Sequence, residues 1–280
     1  MTAQQFAVVV VAVSAALSAI MSGAWLVWRG TRNSGWVDTI WTFGLGVVGC
    51  GGALTPWLLF GGITERQALV AWLIAIWSLR LGAHIALRTV GIIDDPRYAK
   101  LIRDWGDNAS RQMFWLLQKQ ALVSIPLALA MTLAAFNPSP GLGAQDFLGV
   151  VVLMVGIGGE AAADFQLRHF RSDPKNRDRI CDAGLWSWSR HPNYFFEWFG
   201  WLAYPLFAIA FGGGYPWGFI ALAGPLCMYW LLVHVSGIPP LEAHMLERRV
   251  GAFRAYQART NAFFPVPQRL AWWSGFGDRK

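Results

Sequence analysis

Charge is scarce in this sequence: only 14% of its 280 residues are Asp, Glu, Lys or Arg, against 55% that are hydrophobic. A soluble domain of this length carries about 25% charged residues. That shortage excludes an ordinary soluble globule and fits a polytopic membrane protein. Cysteine is scarce too. Cys50, Cys181 and Cys227 lie far apart, and nothing in their spacing points to a disulfide framework, a CxxC pair or a zinc site. No GxGxxG follows a strand pattern, so no Rossmann nucleotide site is expected. No internal repeat or low-complexity linker divides the chain, and one membrane domain over 1–280 is the simplest reading. A cleavable signal peptide is not expected either. The first apolar run, Phe6 to Trp28, is too long for one and has no basic residues before it.

What the sequence does have is long apolar runs. A crossing needs roughly 20 apolar residues in succession. About seven stretches qualify: 5–28, 36–62, 68–90, 112–136, 146–167, 194–213 and 215–235. The expected fold is an all-α membrane bundle of about seven transmembrane helices. Pro126, Pro205 and Pro225 fall inside these stretches, where bilayer helices tolerate them. The short turns "NPSPG" at 137–141 and "GGGYP" at 212–216 join neighbouring stretches.

The basic residues are unevenly placed. Of 23, 20 lie on alternate connections: 29–32, 88–111, 168–190 and the tail from 235. The intervening connections hold only Arg66. The positive-inside rule therefore puts the N-terminus outside and the C-terminus in the cytoplasm. A bacterial inner membrane is the expected location. The net charge of +7 is read as basic loops facing anionic lipid at the cytoplasmic face, not as a nucleic-acid surface.

Ionisable groups inside apolar stretches are costly and are functional candidates by default. Here they gather toward one side: Asp38, the stripe Arg80–His84–Arg88, Lys119, Glu160, Asp164, Asn193 and Glu197, with Glu242 and His244 just beyond the last stretch. Their convergence implies a polar cavity opening to the cytoplasm under the basic loops. Taken singly, Asp164 and Glu197 also read as helix-end groups in ion pairs, and the Arg80 stripe as a counter-charge to Asp38 or Glu160. His234 reads as a packed or interfacial residue, and the tryptophans as belt and packing residues. The spacing of Gly156, Gly158 and Gly159 reads as close helix packing. The segment 168–190 holds six basic residues in 23. Arginine forks grip phosphates at two points, so a nucleotide meeting a lipid from the bilayer is one reading. Topology and lipid head groups are the other.

Three stretches carry a resemblance: "EAAADFQLRHFR" from Glu160, "KNRDRICDAGLWSWSRHPNYFFEWFGWLAYPL" from Lys175, and "SGIPPLE" at 236–242. With "IWSLRL" at 76–81, "DDPRY" at 94–98 followed by Trp105, and "YQARTNAFFP" at 256–265, they resemble the bacterial branch of the steroid 5-alpha-reductase family over about 36–265. The resemblance implies a seven-span fold, NADPH as hydride donor, and a substrate whose C=C bond is conjugated to a carbonyl. It implies that Asp164, Arg168 and Arg171 face the phosphate, ribose or adenine portions, and that Asn193 and Glu197 line the nicotinamide pocket. Arg190, His191 and Tyr194 belong to the same motif. The chain departs from the steroid enzymes in lacking a Gln-x-x-Glu pair on an early stretch; Asp38 is the nearest substitute. Glu242 and His244 stand where the family has a His and a Tyr. Conjugate reduction needs a donor at the carbonyl oxygen, and Asp38, Glu197, His84 and Tyr98 are the candidates. "RHPNY" at 190–194 is also similar to a motif of the isoprenylcysteine carboxyl methyltransferases, which bind S-adenosylmethionine. The alternative expectation is thus a membrane methyltransferase. A transporter or lipid-binding protein is the non-enzymatic reading, against which stands the shortage of polar residues in the outer half.

Overall fold

A computed structural model describes residues 1–90 and 96–266, with all their side chains except those of residues 56–60, 96 and 97. Asp94, Asp95 and the Arg97 side chain of "DDPRY", and the last three basic residues of the tail, lie outside the described residues. The described residues form eleven α-helices. These are α1 (Ala3–Thr31), α2 (Gly35–Phe60), α3 (Glu65–Val90), α4 (Pro96–Trp105), α5 (Ala109–Ala135), α6 (Ala144–Ser172), α7 (Pro192–Trp201), α8 (Ala203–Ala208), α9 (Ala223–Trp230), α10 (Ile238–Arg248) and α11 (Val250–Arg259). No strand forms among them; the one sheet-like contact is an isolated parallel bridge between Ser189 and Asn261.

Six helical stretches among the described residues are long and apolar enough to cross a membrane: Ala3–Thr31, Gly35–Thr55, Glu65–Val90, Tyr98–Ala135, Ala144–Ser172 and Pro216–Arg248. At about 1.5 Å per residue, the longer ones exceed the ~30 Å hydrocarbon thickness. The stretch 194–213 is not among the six. It forms α7 and α8, of 10 and 6 residues. Pro205 accounts for the break, because it has no N–H to offer the Trp201 carbonyl four residues back. By contrast α5 runs unbroken through Pro126. Large apolar side chains such as Val8, Val11, Trp72, Leu79, Leu122 and Phe147 point outward. In water that would be costly; against lipid tails it is the expected surface.

The chain divides into two compact units. The first comprises Met1–Val151 and Leu202–Cys227. Within it α2 packs on α3, and α1 on α5. Small residues let the helix backbones approach. A Cβ at Gly52 would stand 2.2 Å from Thr132 Oγ1, and one at Gly46 2.2 Å from Ser78 Oγ. Leu45, Ile74, Met113, Leu117, Leu127, Met131 and Leu133 are fully buried there. At one end of this unit Arg66, buried in the first turn of α3, forms a two-point pair with buried Asp146, Nε to Oδ1 and Nη2 to Oδ2, both at 2.8 Å. Its Nη1 also donates to the carbonyls of Asn137 and Ser139, and Nη2 to that of Gly141 at 2.7 Å. The "NPSPG" turn is therefore folded around one guanidinium.

The second unit comprises Val152–Trp201 and the chain from Met228. Its frame is an antiparallel pairing of α6 with α7. Gly156 meets Gly200, where an added Cβ would come within 2.6 Å of the partner Cα; Gly159 lies against the Phe196 ring in the same way. The "GIGG" spacing does serve close helix contact. Beyond α9 a π-helical turn, Leu231–Val235, leads into α10 and α11.

Candidate functional site

The C-terminal end of α6 and the N-terminal end of α7 meet because the helices run antiparallel in this register. Asn193, in the first turn of α7, donates from Nδ2 to Asp164 Oδ1 at 3.3 Å. Its Oδ1 accepts the Tyr194 backbone N–H at 3.1 Å. Glu197, one turn further, accepts the Trp201 indole N–H on Oε1 at 2.8 Å. Glu160, Asp164 and Glu197 are all buried. Three buried carboxyl groups on one helix pair are expensive unless they serve a purpose. Arg168 and Arg171 follow Asp164 by one and two turns and are exposed. The structure thus joins Asp164 to Asn193 directly, with Glu197 on the same α7.

The loop after α6 folds back on its own helix. Gln166 Oε1 accepts the Leu185 N–H at 2.9 Å, and the Trp186 indole donates to the Ala163 carbonyl at 3.0 Å. Gly184 makes this return possible. Its φ of +61° is left-handed, and a side chain there would strike the Gln166 amide.

Arg190 and His191 turn toward the C-terminal helices. Glu242 on α10 receives Arg190 Nε on Oε1 at 2.8 Å and Nη2 on Oε2 at 3.2 Å. His191 Nε2 lies 3.0 Å from Oε1, and Gln257 Nε2 donates to Oε2 at 2.7 Å. Arg190 Nη1 donates to the carbonyls of Thr260 and Gln257. Ser189 Oγ donates to the Phe263 carbonyl at 2.8 Å, and the Arg190 backbone N–H to that of Asn261 at 2.8 Å. The Tyr256 hydroxyl donates to the Trp186 carbonyl. Burial pushes the Tyr256 phenol up and pushes His191 below the ordinary histidine value, the latter against the pull of the Glu242 carboxylate. The Tyr194 ring stacks on His191, 5.5 Å away and 11° from parallel.

An aromatic cluster holds the same C-terminal segment on its other side. Phe263 and Phe264 pack against Phe195, Trp198 and Tyr229, with centroids 5.3–6.4 Å apart. His234, on the π-helical turn, stands edge-on to Tyr229. Its side chain is exposed, so of the packed and interfacial readings it fits the interfacial one.

In the first unit, the donor candidates Asp38 and Tyr98 come together. The Tyr98 hydroxyl donates to Asp38 Oδ1 at 3.1 Å and accepts from Gln120 Nε2 at 2.9 Å. His84 and Arg80 on α3 are half-buried; Arg88 and Lys119 are exposed. The sequence reading overlooked Gln120, Ser189 and Gln257. Gln120 is one of three glutamines in the stretch 112–136, with Gln112 and Gln118, and "YQARTNAFFP" contains Gln257. No group of three or more His, Cys, Asp or Glu side chains among the described residues has metal-binding geometry.

One family model spans most of these motifs. The chain belongs to the family described as protein of unknown function, DUF1295, whose model matches residues 24–260. No curated protein and no solved structure matches it. The family region takes in every candidate residue, from Asp38 to Glu242 and Gln257.

Proposed function

We propose that the protein is a membrane-embedded, NADPH-dependent reductase of a C=C bond conjugated to a carbonyl in a steroid-like or other lipid substrate, related to the steroid 5-alpha-reductases. The observation that carries this reading is the Asp164–Asn193 hydrogen bond at the α6–α7 junction, with exposed Arg168 and Arg171 on one side and buried Glu197 on the other. That donor set suits a phosphorylated dinucleotide. Arginines supply forks for phosphate oxygens. A buried carboxylate accepts from ribose hydroxyls. Among the described residues, one Asn193 N–H and one Oδ1 lone pair remain for a carboxamide. When bound, NADPH supplies the hydride. As the C=C bond is reduced, negative charge develops on the substrate's carbonyl oxygen, and the protein must hold a proton donor there. Asp38, Glu197, His84 and Tyr98 are the candidates for that role; of these, Tyr98 and Asp38 are hydrogen-bonded to each other, with Gln120 donating to the Tyr98 hydroxyl.

The reading includes seven crossings, with α7 and α8 together making the sixth, the N-terminus outside and the C-terminus in the cytoplasm of a bacterial cell. The distribution of basic residues supports it. So does Arg66, whose charge is neutralised internally by Asp146.

The test is a binding titration of detergent-purified protein with NADPH, NADH and S-adenosylmethionine, repeated on Asn193→Ala and Glu197→Gln. NADPH should bind the wild type and bind both variants more weakly. Binding of S-adenosylmethionine with indifference to NADPH would move the protein to the methyltransferases.

A further inference from the structure

Glu242 holds four side-chain hydrogen bonds on two oxygens, from Arg190 twice, His191 and Gln257. Arg190 can only donate, and its two bonds hold Glu242 as a carboxylate, so Glu242 serves as an acceptor hub and the His191 contact requires the proton on Nε2. The partners lie on two separate pieces of chain. Arg190 and His191 immediately precede Pro192, the first residue of α7. Gln257 is on α11, and Arg190 carries the link on to the Thr260 carbonyl. Ser189, Asn261 and Phe263 extend it through backbone and hydroxyl bonds. His191 in turn meets the Tyr194 ring face to face, and its carbonyl accepts the Phe195 N–H at 3.1 Å. The first turn of α7 is thereby fixed from outside the helix, and Asn193 is in that turn.

We propose that Glu242 is a positioning residue for Asn193: through Arg190 and His191 it locks the start of α7 to the C-terminal segment Thr260–Val266, and so sets where the Asn193 amide points. The inference rests on the reductase reading for its consequence, though not for the lock itself. Arg190 and His191 then act as parts of the lock. Four of the five guanidinium N–H groups of Arg190 are taken by Glu242, Gln257 and Thr260.

Two measurements test it on the full-length protein in detergent, with Glu242→Gln and the milder Gln257→Ala. Glu242→Gln keeps the size but replaces one acceptor oxygen by a donor, which faces Arg190 and Gln257 wrongly. The first measurement is amide hydrogen exchange, which needs no ligand. Exchange at 189–195 and 260–266 should rise by at least about tenfold in Glu242→Gln, the population shift of losing charge-assisted bonds. It should rise less in Gln257→Ala, and α1 to α3 should be unchanged. The second compares NADPH with adenosine 2′,5′-bisphosphate, which lacks the nicotinamide. Glu242→Gln should weaken NADPH by about tenfold or more while leaving the bisphosphate unchanged. Equal weakening of both would mean general destabilisation and would overturn the positioning role, as would unchanged exchange at both segments. If Glu242→Gln does not fold, Gln257→Ala carries the same two comparisons. If the wild type binds neither nucleotide, the reductase reading fails, and the exchange result alone decides the lock.

Discussion

Replacing Arg66 with alanine should be among the most damaging single changes to the first unit. The guanidinium and the Asp146 carboxylate are each about 95% buried and pair at 2.8 Å through two parallel bonds. Removing one member of such a pair leaves an uncompensated buried charge, which costs about 3–5 kcal/mol. Three carbonyls, of Asn137, Ser139 and Gly141, lose their donor as well. The double variant Arg66→Met/Asp146→Leu removes the orphan charge, and apolar replacement of a buried pair is often neutral. It should recover most of the charge penalty but not the lost bonds to the turn. Nor does it restore the Gly143 N–H, which donates to Asp146 Oδ2 at 2.8 Å. About 1–3 kcal/mol should therefore remain. Arg259→Ala is the contrast. Its pair with Asp182 is half exposed and should contribute about 0–1 kcal/mol. Reversible denaturant unfolding in mixed micelles, followed by tryptophan fluorescence, reads all three. A loss below about 1 kcal/mol in Arg66→Ala, or a double variant no better than the single, would refute the argument.

The other expectations are simpler to state. Arg168→Ala or Arg171→Ala should weaken NADPH by about 1.5–3 kcal/mol each, with unfolding little changed because both side chains are exposed; unaltered affinity in both would leave them as topology signals. Reporter fusions at Pro140 should read as outside the cytoplasm and fusions at Asp178 as inside, and the reverse pattern would overturn the orientation. Because the folded pKa of His191 lies below its unfolded value of 6.5, the unfolded chain takes up the proton first. Its contribution is therefore fully present above about pH 6.5 and is lost as pH falls below that. Unfolding at pH 7 and pH 5 should show a decline in the wild type that is smaller in His191→Gln; an equal decline would assign it to other groups.

Helix positions were legible because apolar runs of membrane length leave little choice of structure. Five of the seven expected stretches match long helices to within about three residues at each end, apart from the upper limit of the fifth, where α6 continues to Ser172. The stretch 194–213 behaved differently because hydropathy does not register a missing N–H, nor which prolines a helix absorbs: α5 continues through Pro126, whereas the helix breaks before Pro205. Arg66 looked like an exception to the charge asymmetry. Its partner, Asp146, lies 80 residues away, and only the fold pairs them. The Asp164–Asn193 contact was foreshadowed by motif alone; its physical cause is the glycine register of α6 on α7, which sequence spacing does not give. The acceptor role of Glu242 was out of reach for the same reason. Its donors come from positions 190, 191 and 257.

That distribution bears on how "RHPNY" should be read. The first two residues of the motif face inward to Glu242 and the segment after α11, while Asn193 faces Asp164. A short motif whose basic half fixes a helix start is compatible with more than one chemistry, since fixing α7 favours no particular ligand. A likeness over Arg190 and His191 to methyltransferases therefore weighs little between the two reactions. The residues able to discriminate are those the lock positions and those beside them: Asn193 with its remaining N–H and lone pair, Asp164 across from it, and the exposed arginines one and two turns on. Exchanging Asn193 for Asp would keep the shape and remove the donor. In a reductase that change should weaken NADPH more than adenosine 2′,5′-bisphosphate, because only the former brings a carboxamide oxygen to accept from the amide. Equal effects on the two nucleotides would place Asn193 away from the nicotinamide.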